Sequence, residues 1–157
     1  MRKILLTNGG YTKVDDDDYD WLNQWNWQQC RDGYAIRSSY ARNGKTGYIF
    51  LHRELLKPQS GLFTDHINGN RLDNRRSNLR KCTMQQNGIN RKMMITNTSG
   101  YVGVTKDGNT NWWKAYTYFG NKRLHLVSTL DKVEAAYIRD QFVMQLFGEF
   151  ARTNFKY

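Results

Sequence analysis

The sequence predicts an α+β chain in two parts. Three observations carry that reading. Short apolar runs recur between Gly- and Asn-rich turn signals, as strands do. One long helical pattern lies near the C-terminus, from about Lys132 to Phe147. The 157 residues, 39% of them hydrophobic, suffice for one compact domain or two small ones with modest cores.

The elements follow in order. Ile4 to Thr7, Asn8-Gly9-Gly10 and Tyr11 to Val14 read as a hairpin. The acidic run Asp15 to Asp18 precedes Tyr19, Trp21, Leu22 and Trp25, which fits a short helix capped by its acids. Adjacent Asp side chains point in different directions, so capping is preferred to a carboxylate metal site. Tyr34 to Arg37 and Tyr48 to Leu51 read as strands around a loop at Asn43-Gly44-Lys45. His52 to Leu56 reads as a helix ended near Pro58. Phe63 to Gly69 and Arg71 to Leu79 read as two short strands or loops, and Thr83 to Arg91 as a helix with Asn87 and Asn90 on one face. Residues 93–98 serve as a linker between an expected domain over 1–92 and another over 99–157. In the latter, Tyr101 to Thr105, Trp112 to Phe119 and Arg123 to Ser128 read as strands, with turns at Gly108-Asn109 and Gly120-Asn121. For the closing helix, Asp131 and Glu134 form an expected capping box. Val133, Ala136, Tyr137, Val143 and Phe147 form its apolar stripe, and Gly148 its stop.

The central segment concentrates chemistry. Asp65-His66-Ile67-Asn68-Gly69-Asn70 is followed by Asp73-Asn74-Arg75, Asn78-Leu79-Arg80 and Asn87. Asn78 lies twelve positions after His66, and Asn87 nine after Asn78. A neutral imidazole near pH 7 can take a proton from water. A carboxylate at Asp65 and an amide oxygen at Asn87 suit a hard divalent cation. An amide at Asn78 can orient the imidazole. Neighbouring Asp65 and His66 would point apart on an extended backbone, so a turn or a distorted strand end is expected there.

This stretch, roughly residues 50–92, resembles the HNH endonuclease family in its His-Asn-Asn version, the type found in phage and intron-encoded homing endonucleases. Leu51-His52-Arg53 belongs to the likeness. The resemblance implies a ββα-metal motif around one Mg²⁺ or Mn²⁺ ion. His66 would be the general base, Asp65 and Asn87 the metal ligands, and Asn78 the residue holding His66. Asn87 stands where the family often has His, which favours oxygen-loving metals over zinc. The zinc-binding Cys pairs of many relatives are absent. His52 is site-adjacent, either touching phosphate or packing at a helix start, and Asn90 shares the face of Asn87. Arg71, Arg75, Arg76, Arg80 and Lys81 are expected to track phosphates.

In the C-terminal part, Trp113, Ala115, Thr117 and Phe119 alternate with Lys114, Tyr116 and Tyr118. Arg123 and His125 share a face opposite Leu124 and Leu126. One face suits packing on the helix, and the other suits a nucleic-acid groove. Residues 99–155 resemble the AP2/ERF DNA-binding domain. The likeness rests on Ser99 to Val104, Trp113-Lys114-Ala115, Lys122 to Leu126, Glu134 to Tyr137 and Phe147 to Ala151. It implies a three-stranded antiparallel sheet backed by one helix, with Lys114, Tyr116, Tyr118, Arg123 and His125 toward DNA. Val102, Thr105 and Asp107 replace arginines of the plant-type domain, so base specificity is not carried over.

The formal charge of +10 points to a polyanionic partner, nucleic acid first. Residues 51–98 carry nine Lys/Arg and three Asp/Glu, more excess than either flank. Cys30 and Cys82 read as two reduced thiols, too far apart for a zinc knuckle. No secretion signal or membrane-length apolar segment is present, so a cytoplasmic setting in a bacterium or phage-infected host is expected. The expected partner is double-stranded DNA, with no membrane, no small-molecule cofactor, and a monomeric or weakly dimeric chain. The rival reading is a non-catalytic AP2-type DNA-binding regulator with a decayed HNH fold. A weaker rival is a structure-directed or RNA-acting nuclease.

Overall fold

A computed structural model describes residues 1–40, 46–91, 93–120 and 122–157. The expected loop at Asn43-Gly44-Lys45 and Asn121 of the Gly120-Asn121 turn lie outside the described residues. The chain divides into two compact units, Met1–Thr83 and Met84–Tyr157. The division falls at the start of the helix Met84–Ile89, shorter than the Thr83–Arg91 expected, whereas the sequence places the boundary at residue 92.

In the first unit, β1 (Arg2–Leu5) and β2 (Tyr11–Val14) form the antiparallel hairpin read from the sequence. The helix α1 spans Asp16–Leu22. A second sheet has the order β3 (Gln28–Gln29), β4 (Ala35–Tyr40), β5 (Thr46–Phe50). After it come α2 (Leu51–Leu56) and an antiparallel pair, β6 (Phe63–His66) and β7 (Leu79–Cys82). The core gathers Ile4, Leu6, Val14, Leu22, Trp27, Leu51, Leu55 and Leu79. Trp27 is fully buried, and its indole N–H donates to the Leu22 carbonyl at 2.8 Å, which satisfies the one polar atom it brings inside.

One expectation is resolved in this unit and another is extended. Of the two readings left open for Arg71 to Leu79, the loop holds: the strand begins only at Leu79, because residues 67–78 are spent on side-chain-to-backbone hydrogen bonds. Asn68 Oδ1 accepts from the Asn70 N–H at 2.8 Å, and Asn70 Oδ1 from the Leu72 N–H at 3.1 Å. Such Asx turns compete with a ladder for the same backbone groups. The acidic run also does more than cap. Asp15 at the N-cap position makes no side-chain cap. Its carboxylate takes the Arg76 backbone N–H at 2.7 Å, while buried Asp18 takes the Arg76 guanidinium through Nε and Nη2, both at 2.7 Å. Positions 15 and 18 fall on one face of the helix start, so two acids of the run converge on one arginine.

The second unit contains α3 (Met84–Ile89), then β8 (Val104–Lys106), β9 (Trp113–Phe119), β10 (Lys122–Thr129) and α4 (Lys132–Phe147). The three strands form an antiparallel sheet of order β10-β9-β8 that packs against α4. Its core is Val104, Ala115, Ala135 and Ala136, with Tyr101, Trp113, Leu126, Val127 and Phe155 against it. Asp131 caps α4 by accepting the Val133 N–H at 2.8 Å. The expected capping box is modified: Glu134 accepts from the Thr129 hydroxyl, which in turn takes the Asp131 N–H at 3.3 Å. The apolar stripe is also corrected. The inward residues of α4 are Ala135, Ala136, Arg139, Asp140 and Val143, while Val133 and Tyr137 face out. Asp140 is inward because the C-terminal segment needs an acceptor there. Its carboxylate takes the backbone N–H of Asn154 and of Phe155 and the Asn154 amide.

Gly103 fits this unit only as glycine. It adopts φ +75°, and a Cβ there would lie 2.6 Å from the Tyr116 carbonyl oxygen and 3.0 Å from Arg139 Nε. Gly103→Ala is therefore expected to cost about 3 kcal/mol by strain plus overlap. Gly108→Ala, also at positive φ but in open space, should cost only about 1 kcal/mol. Urea denaturation of the full chain measures both, and equal losses would remove the packing argument.

Candidate active site

The loop between β6 and β7 holds the chemistry, and its order comes from amides. Asn78 is buried; its Oδ1 accepts the Asn68 N–H at 3.0 Å, and its Nδ2 donates to the Asp73 carbonyl at 2.7 Å. Asp73 takes the Asn68 amide at 3.0 Å and the Arg75 guanidinium at 2.7 and 2.6 Å. Asn78 thus clamps the two ends of the loop, and the amide oxygen within hydrogen-bond distance of the imidazole is that of another residue. That contact belongs to Asn74.

His66 is 4% exposed, and its Nε2 lies 3.1 Å from Asn74 Oδ1. Asn74 is itself buried and donates through Nδ2 to Thr12 Oγ1 at 2.8 Å. The Thr12 hydroxyl donates to the Leu72 carbonyl at 2.9 Å. These bonds decide the imidazole tautomer. A carbonyl only accepts, so the single hydroxyl proton of Thr12 is committed to Leu72. Thr12 must then accept from the Asn74 NH₂, which turns the Asn74 oxygen toward His66. Nε2 therefore carries the proton, and the lone pair of the neutral ring sits on Nδ1.

The surroundings keep this ring neutral. Burial pushes the His66 pKa below its ordinary value; the Asn74 hydrogen bond and Asp65 oppose that shift. His52, buried on α2, stands edge-on to His66 with ring centroids 5.2 Å apart. Tyr34 packs on both imidazoles, at 4.8 Å from His52 and 5.9 Å from His66. The Arg71 guanidinium lies 4.6 Å over the Tyr34 ring and donates to the Asp32 carbonyl. His52 Nδ1 is sealed from solvent with no hydrogen-bond partner. Burial first, then His66, Arg53 and Arg71, push the His52 pKa down to about 3.

Asp65 is 6% exposed and bonds across the strand pair to Arg80, its direct partner in register. Arg80 Nε lies 2.9 Å and Nη2 2.8 Å from Asp65 Oδ2. The last two residues of β6 therefore take different partners, Asp65 the cross-strand arginine and His66 the loop amide. The expected turn begins only after them, with the Gly69 N–H donating to the His66 carbonyl at 2.8 Å. Asn87 lies half-buried on α3 of the second unit, and Asn90, buried, lies just beyond that helix.

The arginines expected to track phosphates have acidic partners in three cases: Arg75 with Asp73, Arg76 with Asp18, and Arg80 with Asp65. Lys81 is exposed. Among the described residues no three His, Cys, Asp or Glu side chains gather to hold a metal ion. The Asp65 carboxylate is a hard oxygen donor of the kind a divalent cation such as Mg²⁺ or Mn²⁺ takes.

On the second unit's sheet, Arg123 pairs in register with Tyr118, and His125 with Tyr116. All four therefore share one face. The Arg123 guanidinium lies 3.8 Å over the Tyr116 ring, and His125 Nε2 lies 2.9 Å from Ser128 Oγ. Lys114 is ion-paired with Asp107 at 2.7 Å. Ala115 and Thr117, on the other face, are buried.

The chain is 31% identical over 149 residues to an uncharacterized HNH endonuclease of Acanthamoeba polyphaga mimivirus, covering 93% of this chain and 75% of that protein. The chain belongs to the HNH endonuclease family. The family model described as HNH endonuclease matches residues 57–89, which take in β6, the loop, β7 and α3. Protein 3.8 of Escherichia phage T7 is 30% identical over 92 residues, covering 59% of this chain and 75% of that one. Family membership makes this a nuclease fold and DNA its substrate class. Two members of the hydrogen-bond chain that ends on His66, Thr12 and Asn74, were given no role by the sequence reading. Asn74 stood within the quoted motif, but Thr12 lies 62 positions upstream in an ordinary hairpin strand and carried no signal.

The two buried histidines predict an acid-labile fold. His52 is neutral in the folded state, whereas the unfolded chain takes up a proton below about pH 6.5. Stability should therefore fall as pH drops from 6.5 toward 3, by on the order of 1 kcal/mol per pH unit from this group. Urea midpoints across that window are expected to flatten in His52→Phe. An unchanged slope would show that His52 is not the responsible group.

Proposed function

We propose that this HNH protein is a metal-dependent DNA endonuclease of the homing-endonuclease kind, with His66 as its general base acting through Nδ1. The observation that carries the reading is the hydrogen-bond chain from Leu72 through Thr12 and Asn74 to His66 Nε2. A base must be neutral, must present a lone pair and must hold its ring plane while a proton arrives. Burial supplies the first condition, and the Asn74 oxygen supplies the other two. As His66 takes a proton from water, Asn74 remains a satisfied acceptor for Nε2–H, so the imidazolium forms without reorganisation.

Asp65 and Asn87 are the proposed metal ligands, Asn87 on the strength of its spacing in the motif. The ion would neutralise the scissile phosphate and the departing 3′ oxygen. Asn78 acts at one remove, by holding the loop that carries Asn74. The products would be a 3′-hydroxyl and a 5′-phosphate. The sheet of the second unit is the proposed AP2-like positioning surface, with Tyr116, Tyr118, Arg123 and His125 toward duplex DNA. Support comes from their common face and from the helix-packed opposite face. The proposed setting is the cytoplasm of a bacterium or an infected host.

Plasmid and source-genome DNA should be cut with Mg²⁺ or Mn²⁺ and not with EDTA. His66→Ala and Asp65→Ala should abolish cutting while binding survives. Asn74→Ala should lower kcat by about 10²-fold, since the tautomer and ring plane are then unfixed. DNA binding without cutting of any substrate would instead support the non-catalytic regulator. In gel-shift titrations Arg123→Ala should weaken duplex binding and lower its salt dependence by about one counter-ion. Unaltered affinity would remove that sheet face from the interface.

A further inference from the structure

The Asp65–Arg80 pair sits where the proposed metal must bind. The two side chains are 7% and 11% exposed, and both guanidinium contacts fall on one carboxylate oxygen. Their register places Asp65 directly opposite Arg80 in a four-residue antiparallel pair.

We propose that Arg80 is the exchangeable counter-ion of Asp65: it neutralises the carboxylate in the metal-free protein, and yields it to the divalent cation when the site loads, passing to a phosphate oxygen of the bound DNA. The inference rests on the reading of Asp65 as a metal ligand. Three physical points carry it. A carboxylate this deeply buried needs a cation beside it, and Arg80 supplies one. A divalent cation on the same carboxylate repels a guanidinium at contact distance, because burial weakens the screening that would let both stay. The guanidinium fork also matches a phosphate as well as it matches a carboxylate, so release from Asp65 opens an equivalent bond on the substrate.

One consequence is that metal and DNA load together. Without DNA, the cation must displace Arg80 from a buried carboxylate with no phosphate to receive it, and binds weakly. With DNA, the phosphate takes over the arginine. The free protein is thereby kept from a fully charged, cutting-competent site until substrate is present. Arg80 is then a positioning residue in the metal-free state and a phosphate contact in the loaded one.

The test is calorimetric titration of Mn²⁺ into the full chain without DNA, for wild type, Arg80→Met, Arg80→Gln, Arg80→Lys and Asp65→Asn, with thermal melts in EDTA and in Mn²⁺. Arg80→Met and Arg80→Gln should bind Mn²⁺ about tenfold more tightly than wild type, since the competing charge is gone. They should melt lower in EDTA and recover in Mn²⁺, whereas Arg80→Lys should stay near wild type. Arg80→Gln keeps hydrogen-bond donors and serves if Arg80→Met fails to fold. Equal or weaker Mn²⁺ binding in both neutral variants would overturn the exchange and leave Arg80 as a fixed support for Asp65. Wild-type Mn²⁺ binding by Asp65→Asn would overturn the metal-ligand reading itself, a separate result from failure of the exchange.

Discussion

The orientation of His66 depends on a hydroxyl in another part of the chain. Thr12 on β2 has one proton and places it on the Leu72 carbonyl. That commitment fixes the Asn74 amide, which in turn fixes the imidazole. Thr12, Asn74 and His66 are buried, so the bonds between them are shielded from water and each loss would leave a polar group unsatisfied. The hairpin is also tied to the loop by backbone bonds, with Lys13 N–H donating to Leu72 and Asn74 N–H to the Lys13 carbonyl, both at 2.8 Å. The N-terminal strands therefore belong to the site as much as the motif does.

Electrostatics is arranged by the same economy. The segment richest in positive charge spends three of its arginines on acids: Asp65 just before the loop, Asp73 within it and Asp18 on α1. Burial of Asp65, Asp73 and Asp18 makes those partners necessary. A net excess read from composition thus overstates the charge this segment offers a DNA backbone, and an arginine with a buried acid partner reaches a phosphate only by leaving that partner. The second unit differs: Arg123 stacks on Tyr116 on a face that also bears His125 and exposed Tyr118, a combination of charge and aromatic surface suited to nucleic acid.

Much was legible from local pattern. The first hairpin, α2, the three-stranded sheet and α4 follow from alternation, turn residues and a cap, all of which act within a few positions. The choice between strand and loop before Leu79 stayed open because residues 67–78 bond their own side chains to the backbone, a competition that hydrophobic alternation does not register. The inward face of α4 was misread for a related reason. Buried Asp140 and Arg139 answer to the backbone and side chain of residues 152–155, which helical periodicity alone cannot reveal.

By itself the sequence determined the family-bearing motif, because Asp65, His66, Asn74, Asn78 and Asn87 stand at fixed separations along one short segment. It also determined the α+β class, since strand and helix periods are local properties. Only the tertiary structure decided which amide meets His66, which imidazole nitrogen keeps the lone pair, and that Asp65 is held by Arg80. Those outcomes turn on hydrogen bonds and ion pairs across strands and between segments as much as 62 residues apart. Chain separation carries no information about them until packing brings a donor to its acceptor.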